Sequence, residues 1–111
     1  MKDFLNKSIN ANYIEGMQTL TGKLTFMSDG IVFKANSVNG VMNMPLIRYT
    51  DIASVELKNT FGILPNAIVI KTKLKKEYCY VVSNRKDMVS FLNSKIIKEA
   101  SCIIKSVDVE N

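Results

Sequence analysis

Residues 22–35 read GKLTFMSDGIVFKA. This stretch is the most informative part of the chain, because its apolar and polar residues alternate on both sides of a turn signal. The pair Asp29-Gly30 favours a two-residue hairpin loop, since both residue types tolerate a positive φ. A loop at these two residues fixes the pairing of the flanking strands. The predicted facing pairs are Phe26 with Phe33, Leu24 with Ala35, and Thr25 with Lys34. One face is then apolar and the other mixed, as a half-buried antiparallel sheet requires.

Five more segments carry strand patterns, so the chain is predicted to hold seven short strands. The predicted strands are 12–20, 22–27, 31–36, 44–48, 52–58, 66–72 and 77–82. The first is interrupted near Gly16, where a bulge is expected. In strand 52–58, the side chains of Ala53, Val55 and Leu57 are predicted to share one face. Two loops are expected between these strands, at 36–43 and 60–65.

The apolar period changes from 2 to 3.6 after residue 84, which predicts one C-terminal amphipathic helix. Met88, Phe91, Leu92 and Ile96 form its core-facing stripe. Asn84 is the predicted N-cap, and the helix is expected to reach residue 102 or 104. A second apolar stripe includes Ile97, Ile103 and Ile104. This second stripe suggests self-association, because a helix that is apolar on more than one face lies deep in a core or meets a partner.

These elements predict a mainly β (α+β) fold. Seven antiparallel strands with two long exposed edges would invite aggregation. Curling into a barrel, or into two near-orthogonal sheets, avoids this, and the helix would cap one open end. At 111 residues the chain is expected to be one domain, 1–111, with its core at about 12–104, a short N-terminal lead and a frayed C-terminal tail.

The succession of elements resembles the GRAM domain family, a branch of the pleckstrin-homology-like superfold. The matching residues are Ala11 to Ile14, Gly22 to Thr25, Gly30 to Lys34, Pro45-Leu46, Asp51-Ile52, Val55-Glu56, Pro65 to Ile70, Tyr78, Tyr80, Val82 and Ser83 to Arg85. The resemblance covers about residues 12–100. The chain departs from the family pattern because it has no tryptophan near Met88. A five-stranded oligonucleotide-binding barrel is the alternative fold, but that fold does not normally end in one long capping helix.

The resemblance implies a non-catalytic module, because such domains bind anionic phospholipid or protein partners. The composition of the chain also favours a protein without catalytic activity. The chain has no histidine, which removes the commonest general base at neutral pH. Its acidic residues are scattered, with Asp51 and Glu56 as the nearest approach to a pair, and no phosphate-binding glycine loop is present. No cofactor and no metal site are therefore expected, and the two cysteines, Cys79 and Cys102, are expected to be buried or half-buried thiols.

The net charge of +5 is concentrated in the C-terminal part. Residues 66–111 hold nine Lys or Arg and five Asp or Glu, which gives +4. A local basic tip of this kind disfavours nucleic acid as a partner, because extended nucleic-acid binding needs a broad basic face. No apolar run approaches the roughly 20 residues of a membrane span, and the N-terminus does not resemble a secretory signal. A cytoplasmic location is expected, with a place at the inner membrane surface if the domain binds lipid.

Two functional hypotheses follow. In the first, a basic tip binds anionic lipid, and an apolar loop inserts into the bilayer or contacts a partner. The tip is assigned to Lys58, Lys71, Lys73, Lys75 and Lys76, and the loop to Phe61, Ile63 and Leu64. This hypothesis requires the basic tip and the loop to lie at the same end of the barrel, since charge and insertion must act together. The second hypothesis is a protein-interaction or self-assembly module that uses the helix stripe or an edge strand. The lysines could also be a solvated turn, and the loop could close the barrel.

Overall fold

A computed structural model describes residues 3–37, 40–60 and 64–96. The strands are β1 (Ser8–Glu15), β2 (Gln18–Phe26), β3 (Gly30–Ser37), β4 (Gly40–Asn43), β5 (Ile47–Arg48), β6 (Ile52–Thr60), β7 (Leu64–Thr72) and β8 (Glu77–Val81). A short 3-10 helix, Tyr49–Asp51, joins β5 to β6. Within the described residues, an α-helix, α1, covers 85–96. The prediction of a mostly β, antiparallel protein with one C-terminal helix is confirmed.

All eight strands belong to one hydrogen-bonded sheet. Seven of them follow the order β4-β3-β2-β1-β8-β7-β6, and β5 pairs with β3 away from this path. Strands β1 and β8 meet near the middle of the sheet, with Tyr13 opposite Tyr80. Among the described residues, no pairing joins β6 to β4 or β5. The sheet is therefore not closed by hydrogen bonds, and the division into two near-orthogonal sheets stays a prediction.

The central hairpin has the predicted faces but not the predicted register. Phe26 pairs with Ile31, and Leu24 pairs with Phe33. The backbone N–H of Met27 donates to the carbonyl of Gly30 at 2.8 Å, so the loop is Ser28-Asp29. The shift of two residues keeps every side chain on its predicted face, because the strand period is two.

Gly30 is required by β5 rather than by the turn. A Cβ added at this glycine would lie 2.3 Å from the Ile47 carbonyl oxygen, since β5 pairs closely with the start of β3. The Asp-Gly pair therefore correctly predicted a hairpin here, but Gly30 is needed for its close approach to β5 and not for the loop. The glycine permits a close approach of two backbones and does not supply a positive φ.

Four further local predictions are wrong. Gly16, with φ of 59°, begins a tight turn between β1 and β2 instead of a bulge. The segment predicted as the loop 36–43 contains the strand β4. Of the strand predicted at 44–48, only Ile47–Arg48, which is β5, is a strand. In β6 a bulge between Ile52 and Ser54 disrupts the predicted alternation. Ala53 lies at this bulge and is exposed. Leu57 lies beyond the bulge, in the edge strand β6, and is exposed although Val55 on the same face is buried.

The helix packs over the end of the sheet where β2 finishes. Met88, Phe91 and Leu92 are buried as predicted, and the Phe91 ring lies 5.6 Å from the rings of Phe4 and Phe26. The Met88 N–H donates to the Asn84 carbonyl at 3.0 Å, which is the first helical hydrogen bond expected for an N-cap at Asn84. The core is therefore closed by α1 at this end. The predicted continuation to 102 or 104, the stripe residues Ile97, Ile103 and Ile104, and Cys102 lie outside the described residues.

Candidate functional site

The predicted lysine tip is a well-closed turn between β7 and β8. The Thr72 N–H donates to the Lys76 carbonyl at 2.9 Å, and the Lys75 N–H donates to the Thr72 carbonyl at 3.0 Å. The Thr72 hydroxyl accepts a further bond from the Lys76 N–H at 3.1 Å. Lys75 adopts φ of 65°, and the Lys73 N–H donates to the Asp51 carbonyl at 2.9 Å. These bonds fix the backbone conformation of the turn.

Four consecutive side chains of this turn are exposed. They belong to Lys73, Leu74, Lys75 and Lys76. Leu74 is 84% exposed, between lysines on both sides. Leaving a leucine in water at a turn is unfavourable compared with burying it. The predicted basic tip therefore contains an apolar residue that sequence reasoning missed, although its position inside the lysine run was a visible signal.

Lys71 does not belong to this exposed group. Its ammonium lies 3.0 Å from a Glu56 carboxylate oxygen and 3.8 Å from one of Glu77. The hydrogen bond and charge of Glu56, followed by the charge of Glu77, raise the pKa of Lys71. Its charge is locally balanced, so Lys71 is not available to an anionic ligand in the same way as the lysines of the turn.

The β1–β2 turn lies beside the lysine turn. Strands β1 and β8 pair with Ile14 opposite Cys79, which places Gly16 next to the start of β8, and Gly16 and Glu77 line a common groove. Met17, the second residue of this turn, is fully exposed. We call Gly16, Met17 and residues 73–76 the hairpin end. It carries the two most exposed large apolar side chains of the described residues, Met17 and Leu74.

The predicted apolar loop is at the opposite end of β7. This strand runs from Leu64 to Thr72, and at about 3.3 Å per residue its two ends are roughly 26 Å apart. Phe61 and Ile63 lie outside the described residues, and of Leu64 only the backbone is described. The basic tip and the 59–65 loop therefore adjoin opposite ends of one strand. The insertion role of Phe61, Ile63 and Leu64 stays a prediction, and other apolar side chains, Leu74 and Met17, lie at the end of the sheet that carries the basic tip.

Lys58 belongs to a groove on the outer face of the sheet. This groove of about 600 Å³ is lined by Ile14, Gly16, Met17, Thr19, Lys58, Asn59, Thr60 and Cys79. Arg85 at the start of α1 donates to the Lys58 carbonyl at 3.1 Å and to the Asn59 side-chain oxygen at 3.3 Å. Burial raises the pKa of the Cys79 thiol, and the charge of Lys58 opposes this in part. The half-buried thiol predicted for Cys79 is confirmed.

Neither a metal cluster nor a membrane-crossing helix occurs in the part of the chain that the structure describes. No three cysteine, aspartate or glutamate side chains come together at metal-binding distances there. No helix of those residues is both long and apolar enough to span a bilayer. Of the two acidic residues considered as a pair, Glu56 forms an ion pair with Lys71. Asp51 is exposed at the end of the 3-10 helix.

Comparisons with known proteins identify the fold. No family model matches the chain, and no curated protein sequence matches it significantly. Among solved structures, it is similar to the C-terminal domain of an unknown protein from Leishmania infantum, with a TM-score of 0.67, 22% identity and 82% of each chain covered. It is also similar to the Slm1 pleckstrin-homology domain, solved with D-myo-inositol-4-phosphate, with a TM-score of 0.57 and 9% identity over 82% of this chain and 94% of that one. A second structure of the Slm1 domain with inositol-4-phosphate gives a TM-score of 0.56. The chain therefore has a pleckstrin-homology-like fold, as the resemblance implied.

Proposed function

We propose that this domain is a non-catalytic module that binds anionic phospholipid bilayers through the hairpin end, at the cytoplasmic membrane surface. One observation carries the proposal. Leu74, 84% exposed, and the fully exposed Met17 occupy neighbouring turns, and three exposed lysines surround Leu74. Exposed apolar side chains beside basic ones are what a peripheral protein uses to enter the headgroup region of a bilayer.

Charge and insertion are both needed for useful affinity. A basic residue near an anionic membrane contributes about 1 kcal/mol, so Lys73, Lys75 and Lys76 together give weak and salt-sensitive binding. Full burial of a leucine or methionine side chain adds roughly 1.5–3 kcal/mol. With partial insertion of both, the dissociation constant falls between about 1 mM and 1 μM. This is a suitable range for a reversible membrane contact.

The fold supports the proposal in a general way. The Slm1 pleckstrin-homology domain, solved with an inositol phosphate, has the same fold and binds a ligand with lipid-headgroup chemistry. The proposed residue set differs from the one predicted from sequence. Lys71 is left out because Glu56 and Glu77 balance its charge. Lys58 is left out because its backbone pairs with Ala67, six residues before Lys73 along the chain, and so does not belong to the lysine turn. For Phe61, Ile63 and Leu64, partner contact stays a prediction.

Co-sedimentation with vesicles tests the proposal. The protein is mixed with neutral and with anionic vesicles at low and at physiological salt. We expect binding to anionic vesicles that persists at physiological salt, and loss of that binding in Lys73→Gln/Lys75→Gln/Lys76→Gln. A matched control, Lys23→Gln/Lys34→Gln/Lys86→Gln, changes the net charge equally at other exposed positions and should keep most of the binding. Equal loss in both variants, or no binding by the native chain, would contradict the proposal.

A protein-interaction module is the alternative function, and the position of β6 favours it. Among the described strands, β6 is last in the sheet and pairs only with β7, and Leu57 is exposed on it. An edge strand of this length can accept a strand from another chain. Self-association by this route predicts a mass that rises with concentration in ultracentrifugation and falls in Leu57→Lys. A monomer at high concentration would argue against self-assembly.

A further inference from the structure

The hairpin end offers basic and apolar groups, but the groove beside Gly16 and Met17 is lined by a single cation of the described residues, Lys58. The β1–β2 hairpin is a tight two-residue turn, and its residues Glu15, Gly16, Met17 and Gln18 include no cation. Glu15 is exposed beside this turn and adds a negative charge. A phosphorylated headgroup is recognised by several cations that converge on it from different elements. Here the β1–β2 hairpin contributes none.

The sheet face just inside this end is aromatic and acidic. The rings of Tyr13 and Tyr78 lie 6.2 Å apart, and Glu15 lies on the same face of β1 as Tyr13, because the two are separated by two residues. In keeping with this, burial, Glu15 and Tyr78 raise the pKa of Tyr13. The groove that Tyr13 and Glu15 line also contains Glu77 and one cation, Lys58. A multiply charged phosphate there would meet two carboxylates and a single ammonium group.

The cations are instead spread over one exposed turn. Lys73, Lys75 and Lys76 belong to a single four-residue connection, and the fourth lysine of the run, Lys71, is held by Glu56 and Glu77. Charges arranged in this way interact with the summed potential of a surface rather than with one headgroup. Leu74, in their midst, and Met17, on the neighbouring turn, supply two separate points of insertion.

We infer that the hairpin end recognises the charge density of an anionic bilayer and does not select a phosphorylated inositol headgroup. This inference rests on the proposed function and specifies its ligand class. The ligand is a surface of monoanionic phospholipids, such as phosphatidylserine or phosphatidylglycerol. The domain then differs in ligand selection from the inositol phosphate complexes of its structural neighbour, although it shares the fold.

The test compares headgroups at equal surface charge. Vesicles containing phosphatidylserine are matched in charge with vesicles containing a phosphoinositide, and binding is measured at physiological salt with and without soluble inositol-4-phosphate. We expect affinities that agree within about threefold, and no competition by the soluble compound. A preference for phosphoinositide of more than about tenfold, which is about 1.4 kcal/mol, or full competition, would overturn the inference and leave the proposed function intact. Absence of binding to every vesicle would overturn both.

The two insertion points are tested separately. Leu74→Ser and Met17→Ser should each weaken binding to phosphatidylserine vesicles by up to about tenfold, because each removes one inserted side chain. Met27→Ser is the control, since Met27 is a partly exposed methionine at the opposite end of β2. All three positions are exposed, so the variants should fold, and circular dichroism checks this. Unchanged binding in both Leu74→Ser and Met17→Ser would overturn the role of insertion.

Discussion

At the scale of single residues, Tyr49 shows how a buried phenol ties two parts of the chain together. Its ring is almost fully buried, and its hydroxyl donates to the Met27 carbonyl at 2.8 Å. Burial, with a smaller contribution from Asp29, raises the pKa of Tyr49 to about 12. The neutral phenol is therefore the form that the folded state favours.

Alkaline pH should destabilise the fold through this residue. A folded-state pKa above the ordinary value of 10.0 means that the stabilisation is complete below pH 10 and is lost as pH rises from 10 toward 12. We expect the urea midpoint to fall across that window, and to fall less steeply in Tyr49→Phe. Because burial also raises the pKa of Tyr80, part of the fall should persist in the variant. A midpoint that does not change across this window would contradict the assignment.

Two glycines should differ in their tolerance of alanine. A Cβ at Gly22 would lie 2.1 Å from the Lys34 carbonyl oxygen, whereas a Cβ at Gly16 would meet nothing within 4 Å. Gly16→Ala should cost only about 1–2 kcal/mol, for its left-handed φ of 59°. Gly22→Ala should cost more, because two backbones must separate. Urea unfolding of both variants measures the difference, and equal costs would show that the strands can adjust.

At the scale of elements, α1 is held to the sheet by an aromatic cluster. Phe91 packs on Phe4 and Phe26 and is 3% exposed. Phe91→Ala should lower the free energy of unfolding by about 3–5 kcal/mol. Asn93→Ala, at an exposed position of the same helix, is the control and should change it by less than about 0.5 kcal/mol. A small effect of Phe91→Ala would mean that the helix does not close the core.

The periodicity of apolar residues correctly predicted the elements whose side chains pack into the core. It failed where the conformation of the backbone, such as a bulge, determines which side chains are buried. The stripe of Met88, Phe91 and Leu92 was correct because its burial follows directly from a period of 3.6. The bulge after Ile52 was not predictable, since an extra residue in a strand has no apolar signature. The place of Leu74 in the site was missed for a related reason. Composition marked the lysines around it, but only the turn geometry shows that this leucine faces water.

At the scale of the whole molecule, the hairpin end and the helix-capped end lie at opposite ends of β2. Met17 precedes β2, whereas Met27 follows it, so the two residues are about 30 Å apart along the strand direction. If the hairpin end enters the bilayer, the Met27 end must remain in water. The proposed function therefore implies a defined orientation of the domain on the membrane.

Fluorescence can measure this orientation because the native chain has no tryptophan. Leu74→Trp should show a blue shift and protection from an aqueous quencher when anionic vesicles are added. Met27→Trp, which places the same reporter at the opposite end, should show neither. Equal shifts at both positions would contradict an end-on orientation and would favour binding along a face of the sheet.

The meeting of β1 with β8 has a consequence for folding kinetics. The described pairing covers only Asn12 to Ile14 and Cys79 to Val81, yet it joins segments from near the start of the chain and from beyond residue 76. Hairpins such as β2–β3 close in about 1–10 μs, whereas folds that depend on such distant pairings take milliseconds to seconds. During synthesis on the ribosome, β1 can pair with β2 early, but its other edge stays unpaired until β8 has been synthesised. A nascent chain that pauses before residue 77 would present that edge to other chains, so we expect chains that end before β8 to aggregate more readily than the full chain.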